Sequence, residues 1–471
     1  MKVQLPTNHN YYEEKPLNEL ALLMAFGAKR KSAKKIRADL FSSVTELTSK
    51  NIDLDHFSVF GFSSDYNIKD RDKELILKIY AKKKADGSVQ YFLQTGKFAG
   101  VLYYKGYQFN IVSAYGDAFL KRMLNCVNNI FVNNQEAQVQ QDHTSNEFQQ
   151  IIAYLFIQSL ERSAILGLPR KYQTLRQTSH KVRGTIDINA YIKHHIPFKG
   201  QLTTILREQR YVQEIIDVLY VACHTLRQKF TPQIHRKIAG IYHSLKQHYS
   251  GQFPGGETIS IAKQHSVFHN PMYAGFKSTL RYAEIIIQER NMILADDKSN
   301  LNTKGYLFDI ADLFELYLER TISRRLEDWF LSAQTELHVY QNQFYGRRML
   351  PDFVLHHKYS DKCIVFDAKF KKMRLEGRDL DRSDFYQIHS YIKYYMPKVV
   401  LGGLVYPLSV EQDIDQSHAS HVFDNTKYDI GFIVEGIYVD EDFSQSQVIE
   451  QEELFLDRLE QLVNSRMANT G

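Results

Sequence analysis

Two aspartates and a lysine lie close together in the stretch PDFVLHHKYSDKCIVFDAKF, residues 351–370. The pattern predicts two short strands joined by a turn at YSDK, residues 359–362. Because side chains alternate between the faces of a strand, Asp367 and Lys369 share one face, which we expect to point away from the apolar core. A hairpin register that pairs Asp352 with Asp367, or with Lys369, brings all three charges onto that face.

Such a cluster has the composition of a site that cleaves phosphodiesters. Two carboxylates about 5 Å apart repel each other unless a cation lies between them. Mg²⁺ prefers oxygen ligands and keeps several waters, which leaves room for a phosphate oxygen and an attacking water. It lowers the pKa of a bound water, and a nearby lysine can stabilise charge on the phosphate. The residues therefore predict a Mg²⁺ site, with Mn²⁺ as an alternative ion, at Asp352 and Asp367 beside Lys369.

The elements around the hairpin predict a mixed α/β domain over residues 301–471. An amphipathic helix is predicted over residues 308–332 and a strand at residues 335–346, before the two strands of the hairpin. A second helix at residues 382–396 and a strand at residues 398–409 follow. A further strand and a C-terminal helix complete the predicted domain.

Two polar stretches divide the rest of the chain. VNNQEAQVQQDHTSNEFQQ begins at residue 132, and ADDKSNLNTKG begins at residue 295. Residues 1–135 before the first break mix aromatic and β-branched residues with glycines and predict a β-rich domain. Residues 136–300 have mostly helical periodicity. The sequence thus predicts an α+β protein of three domains, in agreement with its length of 471 residues.

The charged residues of the hairpin resemble a known signature. Pro351-Asp352, followed by Asp367-Ala368-Lys369, is similar to the motif of the PD-(D/E)XK nuclease superfamily. The predicted order of helix, three strands, helix and strand also resembles the core of that superfamily. The resemblance implies a restriction-endonuclease-like domain in which these two aspartates and the lysine are catalytic.

The resemblance extends to the two flanking helices. Glu315 borders the apolar stripe of the upstream helix, where many nucleases of the superfamily carry a third metal ligand. Asp312 and Glu319 lie on the same helix and are alternatives to it. Gln387 and Tyr391, spaced i, i+4 on the downstream helix, match the QxxxY element found beside the active site in a subset of these nucleases.

Longer segments resemble one family in particular. YLFDIADLFELYLER, RRMLPDFVL, IVFDAKFKK and DFYQIHSYIKYY are similar to the McrC family, the nuclease subunits of GTP-dependent restriction systems. RGTIDINAYI resembles the central region of that family. GKFAGVLYYKGYQFNIVSAYGDAFLKRMLN resembles the McrC-like subunits of LlaJI-type restriction endonucleases. The similarity covers most of the chain beyond about residue 90.

The resemblance also implies partners. McrC-type subunits act on double-stranded DNA together with a hexameric AAA+ GTPase of the McrB type, which their N-terminal part contacts and stimulates. The present chain has no G-x-x-x-x-G-K-[ST] phosphate loop, so the motor must be a separate chain. We therefore expect residues 1–135 to contact such a motor. Lys371, Lys372 and Arg374 are candidate contacts to the DNA backbone, although runs of charge are more often solvated surface.

Composition is compatible with this function but does not require it. The net charge of +5 permits a polyanionic partner. The three cysteines, Cys126, Cys223 and Cys363, form no CxxC pair, which argues against a disulfide framework or a zinc ribbon and fits a reducing compartment. The N-terminus has no apolar signal core, and no run of 18 apolar residues occurs. We expect a cytoplasmic protein that does not associate with membranes.

Two other functions remain open at this point. A degenerate nuclease fold could bind DNA or activate a motor without cutting, and such a protein would form no Mg²⁺-dependent product. A stand-alone repair nuclease of the same superfamily would not require a motor, so a neighbouring AAA+ GTPase gene would argue against it. The leading hypothesis is a Mg²⁺-dependent DNA endonuclease subunit of a restriction or phage-defence complex.

Overall fold

The computed structural model divides the chain into two compact units. The first comprises Met1–Asn134 with Ser299–Gly471, and the second comprises Gln135–Lys298. Helices and strands occur in both units, which confirms a mixed α/β protein of more than one domain. The described residues are 2–9, 16–28, 32–51, 57–63, 73–128, 143–229, 238–294, 304–332, 337–339, 347–371, 381–408, 418–419 and 430–469.

Two sheets form the N-terminal part of the first unit. In spatial order, the strands of the larger sheet are β1 (Lys2–Pro6), β7 (Tyr107–Val112), β6 (Phe98–Tyr104), β11 (Lys304–Asp309) and β3 (Phe57–Phe60). The smaller sheet consists of β2 (Thr45–Thr48), β4 (Leu75–Lys83) and β5 (Val89–Thr95). The helices of this part are α1 (Glu19–Ala25), α2 (Ala33–Leu40) and α3 (Gly116–Asn128). Apolar residues of α1, α2 and both sheets form one core.

Strand β11 belongs to the N-terminal sheet although it follows the second unit in sequence. It pairs with β6 in antiparallel orientation and with β3 in parallel orientation, so that Leu307 lies opposite Gly100 and Val59. Leu307 is fully buried in the N-terminal core. The predicted boundaries after residues 135 and 300 lie near the ends of the second unit, whereas the two outer segments share one compact unit.

The second unit combines helices with a three-stranded antiparallel sheet. Its helices are α4 (His143–Ala164), α5 (Ile188–His194), α6 (Gln213–Lys229), α7 (Ala239–His248), α8 (Gly256–Lys263) and α9 (Phe276–Leu294). Helix α9 packs against α4 and α6. A three-stranded sheet has the order β8 (Arg170–Ser179), β10 (Leu202–Tyr211) and β9 (Thr185–Ile186). The helical pattern of the sequence thus describes most of this unit but not its sheet.

A six-stranded sheet forms the C-terminal part of the first unit. In spatial order its strands are β12 (Trp329–Ser332), β15 (Phe353–His357), β16 (Cys363–Ala368), β17 (Val399–Leu408), β19 (Gly431–Tyr438) and β18 (His418–Ala419). Its helices are α10 (Ile310–Arg325), α11 (Arg382–Tyr395) and α12 (Gln445–Asn469). Strands β16, β17 and β19 are parallel, and parallel strands are normally covered by helices on both faces. No helix in the described ranges is long and apolar enough to span a bilayer.

Two elements before the hairpin differ from the prediction. The helix predicted over residues 308–332 ends at Arg325, and its last residues form edge strand β12, where aromatic and apolar side chains favour extended backbone. Only residues 337–339 of the strand predicted at residues 335–346 are described, and they do not belong to the main sheet. Instead, β13 (Leu337–Val339) pairs with β14 (Arg347–Met349) in a separate two-stranded ribbon. The third strand beside the hairpin is therefore β12.

The parallel strands approach closely at Gly403. This residue of β17 pairs with Phe366 of β16 and Ile433 of β19, and a Cβ atom on it would lie 2.1 Å from the Ile433 carbonyl oxygen. We expect Gly403→Ala to lower the free energy of unfolding by about 3 kcal/mol, since backbone atoms must move to admit the methyl group. Urea unfolding measures this change. Gly240→Ala is the control, because a Cβ there meets no atom within 4 Å, and it is expected not to lower stability.

Candidate active site

The hairpin of β15 and β16 places Asp352 beside Asp367. The ladder pairs Phe353 with Phe366 and His356 with Cys363, so continuing it by one residue sets Asp352 opposite Asp367. The Ala368 amide donates a hydrogen bond of 2.8 Å to Asp352 Oδ2. The predicted register is therefore present, and it holds the first aspartate against the end of the second strand.

The prediction that Asp367 points away from the core was wrong, because β16 is buried on both faces. Its neighbour β17 is parallel to it, and helix α11 packs over the face that carries Asp367. Cys363 and Val365, on the same face, belong to an apolar cluster with Ile388 and Ile392 of α11. Asp367 is consequently 0% exposed.

A buried carboxylate at this position needs a counter-charge. Lys369 Nζ lies 2.5 Å from Asp367 Oδ2, and the lysine side chain is itself mostly buried. Within the described residues, the carboxyl of Asp367 is in contact with the Lys369 ammonium and the carboxyl of Asp352. Two neighbouring acidic groups thus share one cation in a buried place, an arrangement that a bound metal ion would relieve.

The three charges perturb one another. Burial, followed by the negative charge of Glu315, raises the pKa of Asp352 to about 7, while Lys369 and the Ala368 amide act in the opposite direction. Burial and the charge of Asp352 raise the pKa of Asp367 well above its usual range. Burial alone would lower the pKa of Lys369, but the two carboxylates raise it above its ordinary value. The aspartate pair thus favours a bound proton near neutral pH, which a divalent cation can replace.

A chain of hydrogen bonds fixes the Lys369 ammonium. Its Nζ donates to Gln387 Oε1 at 3.1 Å, and Gln387 Nε2 donates to the Tyr391 hydroxyl at 2.8 Å. The Tyr391 hydroxyl donates to the Leu350 carbonyl at 3.0 Å. Asp381 caps the helix that carries both side chains by accepting a hydrogen bond from the Ser383 amide. The two residues of the QxxxY element therefore connect the lysine to the start of the hairpin.

Three acidic side chains lie on α10, and the negative charge of one of them, Glu315, raises the pKa of Asp352. The helix begins after Asp309, whose side chain accepts a hydrogen bond from the Asp312 amide. The Asp312 carboxylate accepts hydrogen bonds from the Phe62 and Ser63 amides at 2.5 and 3.0 Å, so it serves a structural role elsewhere. Glu319 is half-buried near Arg320, and burial raises the pKa of its carboxyl. Within the described ranges, no three acidic, histidine or cysteine side chains already converge at metal-binding distance.

The basic residues after β16 have a different environment from the one expected of a DNA contact. Lys371 Nζ lies 2.7 Å from Asp384 Oδ2 and 3.7 Å from Asp381 Oδ2. Lys372 and Arg374 lie outside the described residues. Sequence reasoning missed Asp384, which is buried and also accepts a hydrogen bond of 3.1 Å from the Tyr406 hydroxyl. Asp384 lies in the first turn of α11, where acidic residues are common because they interact favourably with the helix dipole. The sequence therefore did not single it out.

The residues present fit a divalent cation bound through oxygen. Two carboxyl groups face each other, and both have raised pKa values. Hard cations such as Mg²⁺ take such ligands and relieve their mutual repulsion. Asp352 and Asp367 can hold the ion, and Glu315 is close enough to act on the charge of the first. Beside them, Lys369 presents a fixed positive charge to a bound anion.

Comparisons with known proteins give one family and one fold. A family model described as the McrBC 5-methylcytosine restriction system component matches residues 74–407. A chain in the refined half-complex from a tetradecameric assembly of Thermococcus gammatolerans McrB AAA+ hexamers with bound McrC is 13% identical, with a TM-score of 0.51. The match covers 98% of this chain and 100% of that chain.

Other comparisons are weaker. A chain in the cryo-EM structure of the Thermococcus gammatolerans McrBC complex is 14% identical with a TM-score of 0.32, and the match covers 69% of this chain and 88% of that chain. None of the curated proteins matches. The likeness in fold is therefore taken from the half-complex, for which the TM-score is 0.51.

Proposed function

The chain belongs to the McrBC 5-methylcytosine restriction system component family, and we propose that it is the Mg²⁺-dependent DNA endonuclease subunit of a GTP-dependent restriction complex. It would hydrolyse phosphodiester bonds in double-stranded DNA while bound to a separate AAA+ GTPase. The observation that carries the proposal is the fully buried Asp367, which lies between the carboxyl of Asp352 and the ammonium of Lys369.

Each residue of the site has a role in this reaction. Asp352 and Asp367 would hold the metal ion, with Glu315 as a third ligand. Bound Mg²⁺ supplies a water of lowered pKa and neutralises charge on the phosphate. The Lys369 ammonium lies where it can bind a phosphate oxygen or orient the attacking water, and Gln387 restrains it in that place. Each carboxyl raises the pKa of its neighbour or is raised by nearby negative charge, and a bound cation would relieve this repulsion.

The order of elements supports a PD-(D/E)XK core. Helix α10 precedes strands β12, β15 and β16, and helix α11 then leads into the parallel strand β17. The predicted order of helix, three strands, helix and strand is thus present, with β12 in place of the strand expected at residues 335–346. The motif aspartates lie at the ends of adjacent strands, as the proposed catalytic role requires.

The motor partner is proposed on two grounds. The solved chain of similar fold belongs to an assembly of McrB AAA+ hexamers with bound McrC. The present sequence carries no phosphate-binding loop of its own. We therefore propose that it binds a hexameric AAA+ GTPase, with residues 1–135 contributing to the contact, and that the motor brings DNA to the nuclease site.

A reconstituted cleavage assay tests the function. The full chain is co-purified with a candidate AAA+ GTPase of the McrB type and incubated with double-stranded DNA, GTP and either Mg²⁺ or EDTA. Cleavage is expected only with Mg²⁺, GTP and both proteins together. Stimulated GTP hydrolysis without any DNA product would favour the non-cutting accessory protein, and Mg²⁺-dependent cleavage by the chain alone would favour the stand-alone nuclease.

A further inference from the structure

The chain bends sharply immediately after the second aspartate of the site. The Lys369 amide still donates to the Val405 carbonyl at 2.9 Å, so its backbone follows the sheet. The Lys371 amide instead donates to the Lys369 carbonyl at 3.0 Å, which closes a tight turn around Phe370. The backbone on the C-terminal side of Lys369 is therefore set by the turn around Phe370.

A residue of the N-terminal segment holds that backbone. Asn8 Nδ2 donates a hydrogen bond of 2.8 Å to the Phe370 carbonyl. Asn8 follows β1 with a φ of 55°, a left-handed conformation that asparagine tolerates better than most residues. Its amide donates to the Gly96 carbonyl at 2.8 Å, and the Thr7 amide donates to the Val112 carbonyl at 2.8 Å. The backbone around Asn8 is thus held by its own hydrogen bonds, independently of the side-chain bond to Phe370.

The side chain of Phe370 is held from the same direction. Its ring lies 5.2 Å from that of Tyr115 in an edge-to-face arrangement, and 5.5 Å from that of Phe314 on α10. Tyr115 lies just before α3 and is buried. Both the carbonyl and the ring of Phe370 therefore contact residues that precede α10 or belong to it, and none of these contacts is part of the Asp–Asp–Lys motif.

We propose that Asn8 is a positioning residue that sets the turn after β16 and thereby the place of the Lys369 ammonium. The inference rests on the proposed function, since it assigns to the N-terminal segment a role in the nuclease site itself. Without the Asn8 bond, the Phe370 carbonyl loses its partner and the turn gains freedom one residue from the lysine. Small displacements of a catalytic group have large effects on rate.

Two substitutions remove the donor in different ways. Asn8→Asp keeps the size and the tolerance of positive φ but sets a carboxylate against the carbonyl. Asn8→Gly removes the side chain and favours the same backbone conformation. The matched control is Asn51→Asp, because Asn51 Nδ2 donates a bond of the same length, 2.8 Å, to the Glu46 carbonyl at an exposed turn of the same unit.

Cleavage kinetics and hydrogen exchange are measured on the full chain with its GTPase partner. Both Asn8 variants are expected to lower the single-turnover cleavage rate about tenfold, the effect of losing about one hydrogen bond in the transition state. The Mg²⁺ concentration for half-maximal rate and the GTP hydrolysis rate should stay within twofold. Amide exchange in a peptide covering residues 363–371 should rise in both variants, and Asn51→Asp should change none of these quantities.

The outcomes separate this inference from the proposed function. Unchanged exchange in residues 363–371 in both variants would overturn the role of Asn8, whether or not the complex cuts DNA. A loss of cleavage that only follows a loss of assembled complex would also overturn it. Failure of the wild-type complex to cut DNA with Mg²⁺ would instead overturn the nuclease assignment, while raised exchange would still support the structural link.

Discussion

Asparagine in place of Asp367 is expected to lower the rate of Mg²⁺-dependent DNA cleavage at least about a thousandfold while the chain stays folded and bound to its motor. The substitution removes the negative charge that would hold the ion but keeps the size of the side chain. Loss of one preorganised electrostatic group costs about 10²–10³ in rate, and loss of a metal ligand removes the ion's contribution as well. The rate is measured under single-turnover conditions with GTP and saturating Mg²⁺.

The control for this prediction is another aspartate of the same hairpin. Asp361 lies in the exposed turn before β16, two residues from the start of the strand's buried run. Asp361→Asn is expected to cut DNA within about twofold of the wild-type rate, since its charge is screened by solvent. Circular dichroism and co-purification with the GTPase show that each variant is folded and assembled. Substantial cleavage by the Asp367 variant would refute the proposed active site.

The hairpin shows how far sequence alone leads to the site. The turn predicted at residues 359–362 leads to a register that sets Asp352 opposite Asp367, and the structure has that register. The apolar run of β16 adds little to it, because a strand buried on both faces does not penalise a slip by one residue. The family resemblance, confirmed over residues 74–407, also follows from local motifs. Local patterns therefore lead to the family and to the charged residues that the hairpin brings together.

Burial of the site was less predictable, although a signal was present. The residues Cys363 to Phe366 are all apolar, which is typical of a central parallel strand with two covered faces rather than of a half-exposed hairpin. Asp367 is buried for that reason, and its raised pKa follows from burial more than from the hairpin geometry. A continuous apolar run beside a catalytic motif should therefore be taken as evidence of a buried site.

Long-range pairing cannot be obtained from such patterns. Strand β11 joins the N-terminal sheet between β6 and β3, and nothing in KGYLFD distinguishes it from a strand of the following domain. The same holds for Asn8, which contacts Phe370 across most of the length of the chain. These contacts depend on how the two outer segments pack together, a property of the whole first unit.

Asp352→Asn is expected to make the metal-free protein more stable at pH 8 while abolishing its activity. The pKa of Asp352 is raised from 3.8 to about 7 in the folded state. Between these values the folded protein holds a proton on Asp352 that the unfolded chain has released. The contribution of Asp352 to stability therefore falls as pH rises from about 4 to about 7 and changes no further above that. The shift in pKa from 3.8 to about 7 corresponds to about 4 kcal/mol in the free energy of unfolding. We expect the variant to recover about 2–4 kcal/mol of it at pH 8.

At position 352, asparagine can form hydrogen bonds without placing a second negative charge beside Asp367. Its Oδ1 can accept a hydrogen bond from the Ala368 amide, and its Nδ2 can donate one to the neighbouring carboxyl of Asp367. Urea unfolding in EDTA should show that the Asp352→Asn variant is more stable than the wild type at pH 8. The difference in free energy of unfolding should shrink as pH is lowered towards 4, and Asp361→Asn should match the wild type throughout.

Added Mg²⁺ should stabilise the wild-type chain at pH 8 and the variant much less, because an ion that binds only the folded state raises stability. A variant less stable than the wild type at pH 8 in EDTA would contradict the raised pKa. If the gain is found, Asp352 lowers the stability of the metal-free protein. A residue with a purely structural role is not expected to do so, whereas a ligand of a metal ion is stabilised once the ion binds.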